Sequence, residues 1–358
     1  MFRFERTVRC AWLIALMACV GCGVAGVPQP PSLDLPQPAT DLRAVRKGNA
    51  VFLFWTIPNI TTDNLPVRHL GETRICRNTG TATTDCASVV GRIPAPASGR
   101  PKEPNARANY TDVLPVDVLS NSSTKRIGYA VSIANDRDKF GALSNTAIVP
   151  GLVSPAPPPN FHAQVTGEGI ALAWSTDTTL GAAAGVHHIY RVYRREEGKE
   201  IDNLVGEATV NSQSLVDHTF EWEKTYLYRI TTVTQIGEGR RMTEFESDDS
   251  PVVKVVAHDV FAPAVPSGLQ AVFSGNGQQP FIDLIWAPDI DADLAGYNIF
   301  RAEGGQQPTK INSELVKSPA FRDSSVASGR TYIYSVSAVD LRGNESARSE
   351  EAKESVPQ

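Results

Sequence analysis

An excess of positive charge is missing from this sequence. Its 358 residues include 34 Lys and Arg against 39 Asp and Glu, which gives a formal net charge of −5. Binding of nucleic-acid phosphates requires clustered Lys and Arg, so this balance argues against nucleic acid as a main partner. Motifs for catalysis are missing too, since the sequence has no Gly-x-Ser-x-Gly, no His-Glu-x-x-His and no Gly-rich phosphate loop. These absences predict a protein that is not an enzyme and that needs no cofactor.

The apolar run near the start of the chain, Ala11–Val20, is too short to span a bilayer, which takes about 20 residues. Three arginines precede this run, and small residues and cysteines follow it. This order is typical of a secretory signal peptide, which we assign to residues 1–22. In the simplest interpretation it is a plain signal peptide that is cut near Ala25.

The end of this segment resembles the lipobox of bacterial lipoproteins, in which small residues led by Leu, Val or Ile precede a cysteine that is acylated. Cys22 follows the pair Val20-Gly21, whereas Cys19 follows Leu16-Met17-Ala18. The resemblance implies lipid attachment at Cys22, which leaves the longer apolar core, with Cys19 as the alternative. Neither cysteine is followed by Asp, which implies an anchor in the bacterial outer membrane, on its periplasmic or its surface side.

Residues 23–35 form a Pro-rich stretch behind the signal, which Pro36 and Pro38 continue. Prolines favour extended polyproline II backbone, which rises about 3.1 Å per residue and acts as a semi-rigid spacer. We expect this tether to hold the first folded domain away from the lipid headgroups.

The rest of the chain repeats one pattern three times, at a period of roughly 110 residues. Each copy begins with a Pro-containing lead-in and an alternating strand that ends in Trp, at Trp55, Trp174 and Trp286. A second strand ends in Arg, at Arg77, Arg194 and Arg301. A late strand carries the tyrosines Tyr129, Tyr226 and Tyr332. Alternation of apolar and polar residues is the period-2 signal of half-buried strands, so the repeats predict β-structure.

This pattern resembles that of fibronectin type III domains over essentially all of residues 36–358. The resemblance implies an all-β chain of three tandem seven-stranded immunoglobulin-like sandwiches, with the Trp and Tyr residues packed between two sheets. The predicted domains cover residues 36–150, 154–257 and 262–358, with Pro-rich joints between them. The first domain departs most from the pattern, because Ile127 replaces the early Tyr of its late strand.

Cysteine is scarce outside the signal segment, which holds three of the five. Cys76 and Cys86 remain as an even pair in a chain predicted to be exported, which favours a disulfide between them. A metal site would need more ligands than these two. Because Cys76 is one step out of phase with the inward-facing Ile75, we expect it to face outward.

Asp289, Asp291 and Asp293 are the weak candidates for a metal site, because alternating carboxylates attract Ca²⁺ and open an EF-hand loop. The match then fails, since Leu294 stands where the loop requires Gly and Phe300 where it requires Glu. We therefore interpret this stretch as a turn that links two strands.

The function that these features favour is that of a non-catalytic, lipid-anchored envelope protein, which acts as a spacer or as a binding scaffold for a protein or glycan partner. The alternative is an accessory carbohydrate-binding component of a secreted polysaccharide-degrading system. Trp222 distinguishes them, as the only Trp outside the signal segment and the three repeated positions. Exposure beside other aromatic rings would favour glycan binding, and burial would favour the scaffold.

Overall fold

The computed structural model describes residues 32–99, 103, 105–178, 180, 184–275 and 279–358. The regular secondary structure of the described residues is almost all β-strand, with two short 3-10 helices at Val116–Val118 and Gly239–Arg241. None of the helices in the described part is long and apolar enough to cross a membrane. The predicted all-β fold class is confirmed.

The first repeat contributes seven strands, β1 to β7, to two sheets. In chain order these strands are Arg43–Lys47, Ala50–Thr56, Leu70–Thr79, Val89–Ile93, Arg107–Val113, Arg126–Asn135 and Ala147–Pro150. One sheet has the order β1-β2-β5 and the other the order β4-β3-β6-β7. Strand β2 alternates as predicted, because Val51, Leu53 and Trp55 are buried while the residues between them are not.

The second repeat contributes eight strands, β8 to β15. They are His162–Thr166, Gly169–Ala173, Val186–Glu196, Asn203–Thr209, Ser214–Asp217, Thr225–Ile236, Thr243–Glu246 and Val253–Val256. Strands β8, β9 and β12 form one antiparallel sheet. In the other sheet β10 lies between β11 and β13, and both β14 and β15 pair with β13.

The third repeat contributes strands β16 to β22. They are Gln270–Ser274, Phe281–Ile285, Leu294–Glu303, Thr309–Lys310, Ala320–Asp323, Thr331–Asp340 and Ala352–Ser355. The sheets are β16-β17-β20 and β19-β18-β21-β22, and their ladders are antiparallel. Buried side chains from both sheets share one core, which is the arrangement of a fibronectin type III-like sandwich.

The chain divides into two compact units. One unit holds the described residues up to Val45 together with Ala50–Leu114 and Thr124–Gly151. The other holds Arg46–Asn49, Pro115–Ser123 and Leu152–Gln358, so the second and third repeats lie in the same unit.

Candidate functional site

Each repeat contains the same cluster of three polar side chains at the edge of its core, which we call the Arg–Asp–Tyr cluster. In the second repeat Arg194 Nη1 lies 2.6 Å from Asp217 Oδ2, and the Tyr228 hydroxyl donates to the same oxygen at 2.8 Å. In the other two repeats the arginine and the tyrosine again donate to one aspartate oxygen, at 2.7 to 2.9 Å. The residues are Arg77, Asp112 and Tyr129 in the first repeat, and Arg301, Asp323 and Tyr334 in the third.

The fold brings these residues together because the aspartate lies on an edge strand of one sheet, while the arginine and the tyrosine lie on adjacent strands of the other sheet. Arg194 pairs with Tyr228 across the β10–β13 ladder, and Arg301 pairs with Tyr334 across the β18–β21 ladder. Paired residues of an antiparallel ladder project from the same face. Both side chains therefore point from one sheet toward the carboxylate at the end of the other.

The electrostatics of the cluster favour an ionised aspartate. Burial opposes ionisation of Asp217, but hydrogen bonds from Thr219 and Tyr228 and the charge of Arg194 outweigh it, so the Asp217 pKa lies below its usual value. The Asp323 pKa is lowered in the same way. Desolvation and the nearby carboxylates raise the pKa of the cluster tyrosines Tyr129, Tyr228 and Tyr334. The hydrogen bonds from the arginine and the tyrosine to the aspartate join the two sheets, which is a structural role.

The residues that mark the core in the sequence are all buried. They are Trp55, Trp174, Trp286, Tyr129, Tyr226 and Tyr332. The cluster also shows which tyrosines are equivalent. Tyr129 matches Tyr228 and Tyr334, which bind aspartate, while Tyr226 and Tyr332 lie two residues earlier on their strands. Ile127, also buried, takes the earlier position in the first repeat.

Cys76 and Cys86 form a disulfide, with 5.1 Å between their Cα atoms. Cys76 faces away from the core, as expected, but it is fully buried rather than exposed. It lies on the sheet face opposite Ile75, as strand alternation requires, but the segment that leads to Cys86 folds over that face. The predicted lipid-attachment residues, Cys22 and the alternative Cys19, lie outside the described residues.

Trp222 lies at a joint between the second and third repeats, which we call the Trp222 joint. Its ring is half-buried and packs edge-on against Phe220, with 4.7 Å between the ring centroids. Phe261, in the segment that leads to the third repeat, lies 6.1 Å from it. The Arg342 guanidinium carbon, from a turn of the third repeat, lies 5.8 Å from the ring centroid. Trp222 thus contacts aromatic and cationic groups of its own chain.

Glu223, next to Trp222, extends the joint toward the segment between the repeats. Its carboxylate accepts the Asp259 N–H at 3.2 Å and lies 2.8 Å from His258 Nδ1. The hydrogen bond with His258, followed by that from Asp259, places the pKa of Glu223 below its usual value. Glu223 adopts a left-handed backbone conformation with a φ of 64°, which is uncommon for a residue with a side chain. The turn at Glu223 thus places this carboxylate beside residues 258–259.

Asp259, Asp293 and Asp340 lie close together at the same joint, with one oxygen of each within 4.8 Å of the others. Oxygen ligands at such a spacing could hold a hard cation such as Ca²⁺. Arg342 already supplies positive charge there, because its Nη1 lies 3.2 Å from Asp259 and 3.7 Å from Asp293. Asn344 Nδ2 also donates to Asp340 at 2.7 Å. The carboxylates are thus partnered by groups of the chain itself.

The three aspartates that the sequence singles out are not brought together. Only Asp293 belongs to the carboxylate group described above. Asp289 Oδ1 accepts the Asp291 N–H at 3.0 Å, and Asp291 Oδ2 accepts the Ala264 N–H at 3.0 Å. These bonds shape the turn before β18, which agrees with the interpretation as a strand-linking turn.

Comparison with known proteins finds sequence similarity between part of the chain and a class of enzymes. No family model matches the sequence. Part of the chain is similar to each of three amylopullulanases. It is 45% identical over 93 residues to the amylopullulanase of Thermoanaerobacterium saccharolyticum, covering 25% of this chain and 7% of that protein. The amylopullulanase of Thermoanaerobacterium thermosulfurigenes is 42% identical over 96 residues, which cover 26% of this chain and 5% of that protein.

A third amylopullulanase, from Thermoanaerobacter thermohydrosulfuricus, is 34% identical over 121 residues, with 33% of this chain and 8% of that protein covered. The chain therefore spans only 5% to 8% of these relatives. Among solved structures, an Fn3-like protein from Clostridium thermocellum is 34% identical, with a TM-score of 0.23 over 27% of this chain and 97% of that one. The FN1–FN3 domains of chicken CNTN1 are 14% identical, with a TM-score of 0.25 over 90% and 99%.

Proposed function

We propose that this chain is a non-catalytic, lipid-anchored protein of the bacterial cell envelope, whose tandem sandwiches act as a spacer or as a binding scaffold. The observation that carries the proposal is the Trp222 joint. Trp222, the one Trp of the described residues outside the three repeated positions, packs against the core of the second repeat and against Phe220, Phe261 and Arg342. A ring engaged in this way supports a rigid connection between two repeats more than an open platform for sugar.

The polar clusters of the repeats support the same proposal. The buried carboxylates of Asp112, Asp217 and Asp323 accept hydrogen bonds from an arginine and a tyrosine each. Groups held in this way stabilise a sandwich and offer no free acid or base to a substrate. Because a fold of this type serves many roles, the partner of the scaffold has to be found by experiment.

An accessory role in a polysaccharide-degrading system is the second candidate, and the similarity to amylopullulanases favours it. Each match covers only 5% to 8% of the enzyme concerned, which fits a module that accompanies catalysis rather than performs it. In this role the chain would position a partner enzyme near its α-glucan or bind the glucan itself.

Affinity electrophoresis of the full chain in gels that contain pullulan or amylopectin separates the two candidates. The scaffold proposal predicts the same mobility with and without polysaccharide, for the native chain and for Trp222→Ala. Retarded migration of the native chain that Trp222→Ala abolishes would instead establish glucan binding at the joint. Glu200→Ala, at an exposed position of the second repeat, serves as the matched control.

The lipid anchor is tested separately, by labelling cells that express the chain with a fatty acid that carries an alkyne. Cys22→Ser should abolish the label, while Cys19→Ser should retain it. Label that persists in Cys22→Ser and disappears in Cys19→Ser moves the attachment to Cys19. Absence of label from the native chain would instead favour a plain signal peptide that is cut near Ala25.

A further inference from the structure

The segment Gly80–Cys86 of the first repeat, which we call the excursion, leaves the sheet between β3 and β4 and folds back over it. Its last residue is tied to β3 by the disulfide with Cys76. Its first residue donates a backbone hydrogen bond to Arg126 at 2.9 Å. Within it only Thr83 is buried, and the Thr83 N–H donates to Thr146 Oγ1 at 3.3 Å.

The face beneath the excursion is lined by small residues. Cys76 pairs with Ala130 across the β3–β6 ladder, while Ile75 pairs with Val131 and faces the core. Gly128 lies on the same face as Ala130, two residues along β6. A Cβ atom on Gly128 would lie 3.0 Å from Thr83 Oγ1 and 3.2 Å from the Gly80 carbonyl oxygen. The excursion therefore rests on Gly128, and Cys76 and Ala130 are fully buried although they face away from the core.

Few noncovalent contacts hold the excursion in place. Four of its residues are exposed, at Thr81, Ala82, Thr84 and Asp85, so it buries little apolar surface. The Thr83 hydroxyl is buried without a hydrogen-bond partner. On one side the excursion borders a cleft of about 530 Å³, which Arg74, Ser132 and the segment Phe140–Ser144 complete. Ordering a segment of this length costs conformational entropy, and here the disulfide is the main contact that offsets the cost.

We propose that the Cys76–Cys86 disulfide is a redox-controlled link between the excursion and the sheet. A dithiol reductant reduces it, which releases the excursion and makes Cys76 a site for thiol modification. The half-buried Cys86 is the sulfur that a reductant reaches first, because Cys76 is fully buried. A thiolate of the reductant attacks Cys86 Sγ and forms a mixed disulfide, and Cys76 leaves as a thiolate that takes up a proton. The second thiol of the reductant then displaces Cys86, so that two electrons and two protons pass to the protein and the reductant becomes a disulfide.

The excursion is then held only by noncovalent contacts. They are the hydrogen bond from the Gly80 N–H to the Arg126 carbonyl oxygen, the longer hydrogen bonds to Thr146 Oγ1 and from Asn78 Nδ2, and the contact with Gly128. Once it lifts, the outer face of β3 and β6 is exposed at Cys76, Ala130 and Gly128, and the adjoining cleft loses one wall. Since the core between the two sheets lies against the other face of β3, the sandwich itself stays folded. The reduced state thus differs from the oxidised one in a local surface and in a reactive thiol.

The test compares the alkylation rates of the two cysteines in the full chain, after reduction with dithiothreitol, by mass spectrometry of the separated peptides. Release of the excursion predicts that Cys76 reacts with iodoacetamide at a rate within about threefold of that of Cys86. A Cys76 rate more than about 100-fold below that of Cys86 would overturn the proposal, because the excursion would then stay closed without the disulfide.

A second measurement separates local release from unfolding. The thermal unfolding of the first repeat and the emission maximum of its buried Trp55 should persist in the reduced protein, and loss of either with labelling would overturn the proposal. Cys86→Ser should give the same Cys76 reactivity without reductant. Thr84→Ser, an exposed substitution within the excursion, should keep the disulfide and leave Cys76 unlabelled.

Discussion

At the scale of single residues, the buried aspartates of the Arg–Asp–Tyr clusters matter most for stability. Asp217 has a side chain that is 0% exposed and accepts hydrogen bonds from an arginine, a tyrosine and Thr219. A buried charge of this kind is stable only while its partners remain, because the desolvation penalty of an unpaired charge is several kcal/mol. Residue-scale changes in these clusters should therefore have large effects on stability.

Asp217→Ala should lower the free energy of unfolding of the second repeat by about 3–5 kcal/mol, because it removes the charged partner of Arg194 and the acceptor of the buried Tyr228 hydroxyl. Urea unfolding of the full chain, followed by intrinsic fluorescence, measures the change. Glu200→Ala, at an exposed position in the same repeat, should leave the unfolding midpoint unchanged. A loss below about 1 kcal/mol in Asp217→Ala would show that the cluster contributes little to stability.

Acid should destabilise the second and third repeats together. The pKa values of Asp217 and Asp323 are lowered in the folded chain, so their stabilising contribution is complete above the pKa of an unfolded Asp, about 3.9. The contribution is lost as the pH falls through the lower, folded pKa values. We expect the free energy of unfolding to change little between pH 7 and pH 5 and to fall below about pH 4.

The Asp217→Asn variant checks the source of this pH dependence, because an amide does not ionise in this range. Its free energy of unfolding should be lower than that of the native chain at pH 7 and should decrease less steeply below about pH 4. Equal slopes in the two proteins would assign the acid sensitivity to other carboxylates.

At the scale of the elements, the long strand β18 shows how local backbone conformation serves the sheet. Its pairing with β21 shifts register between Leu294 and Gly296. Gly296 has a φ of 148°, and a Cβ atom there would lie 2.7 Å from the Val316 carbonyl oxygen. Only glycine fits this close approach of two backbone segments without strain.

Gly296→Ala should therefore lower the unfolding free energy of the third repeat by about 1–3 kcal/mol, since the methyl group meets backbone atoms that cannot move aside. Chemical denaturation monitored by circular dichroism measures the loss. Gly167→Ala is the matched control, because its added methyl group would have only ordinary contacts, at 3.5 Å or more, with Phe261. Equal stability of the two variants would mean that the register shift relaxes at no cost.

At the scale of the whole molecule, the second and third repeats are connected by more than the chain that joins them. Arg342 of the third repeat contacts Asp259 and Asp293 and lies over Trp222 of the second. One arginine thus links a turn of each repeat to the segment between them. This connection should couple the unfolding of the two repeats.

Arg342→Ala should split a shared calorimetric transition of the second and third repeats into two, because the remaining contacts at the joint are fewer and the carboxylates there repel each other. Differential scanning calorimetry of the full chain measures the change. Arg330→Ala, which removes an exposed ion pair with Glu303 inside the third repeat, should leave the transition whole. Two transitions already present in the native chain would show that the joint does not couple the repeats.

The sequence alone was enough to predict the fold class, because alternating strands are local patterns that recur three times. The strands beside Trp174 and Trp286 and those that contain Arg194 and Arg301 could be predicted from residue order, but their ends could not. Strands β9 and β17 end one residue before the Trp, and β10 and β18 continue two residues past the Arg. The disulfide could be predicted from an even pair of cysteines, and it is present. The aspartate of each cluster was missed, although a signal existed, because Asp217 and Asp323 each precede the cluster tyrosine by 11 residues.

Only the tertiary structure decided which surfaces these residues meet. Strand alternation alone places Cys76 on the outer face, but its burial depends on the excursion, whose path follows from contacts at Gly128 and Thr146 far along the chain. In the same way the sequence singles out Trp222, but its packing depends on Arg342, 120 positions later. Periodic patterns determine which face of a strand is apolar because they act over a few residues. The partner of that face is determined by packing between distant segments, which no local pattern records.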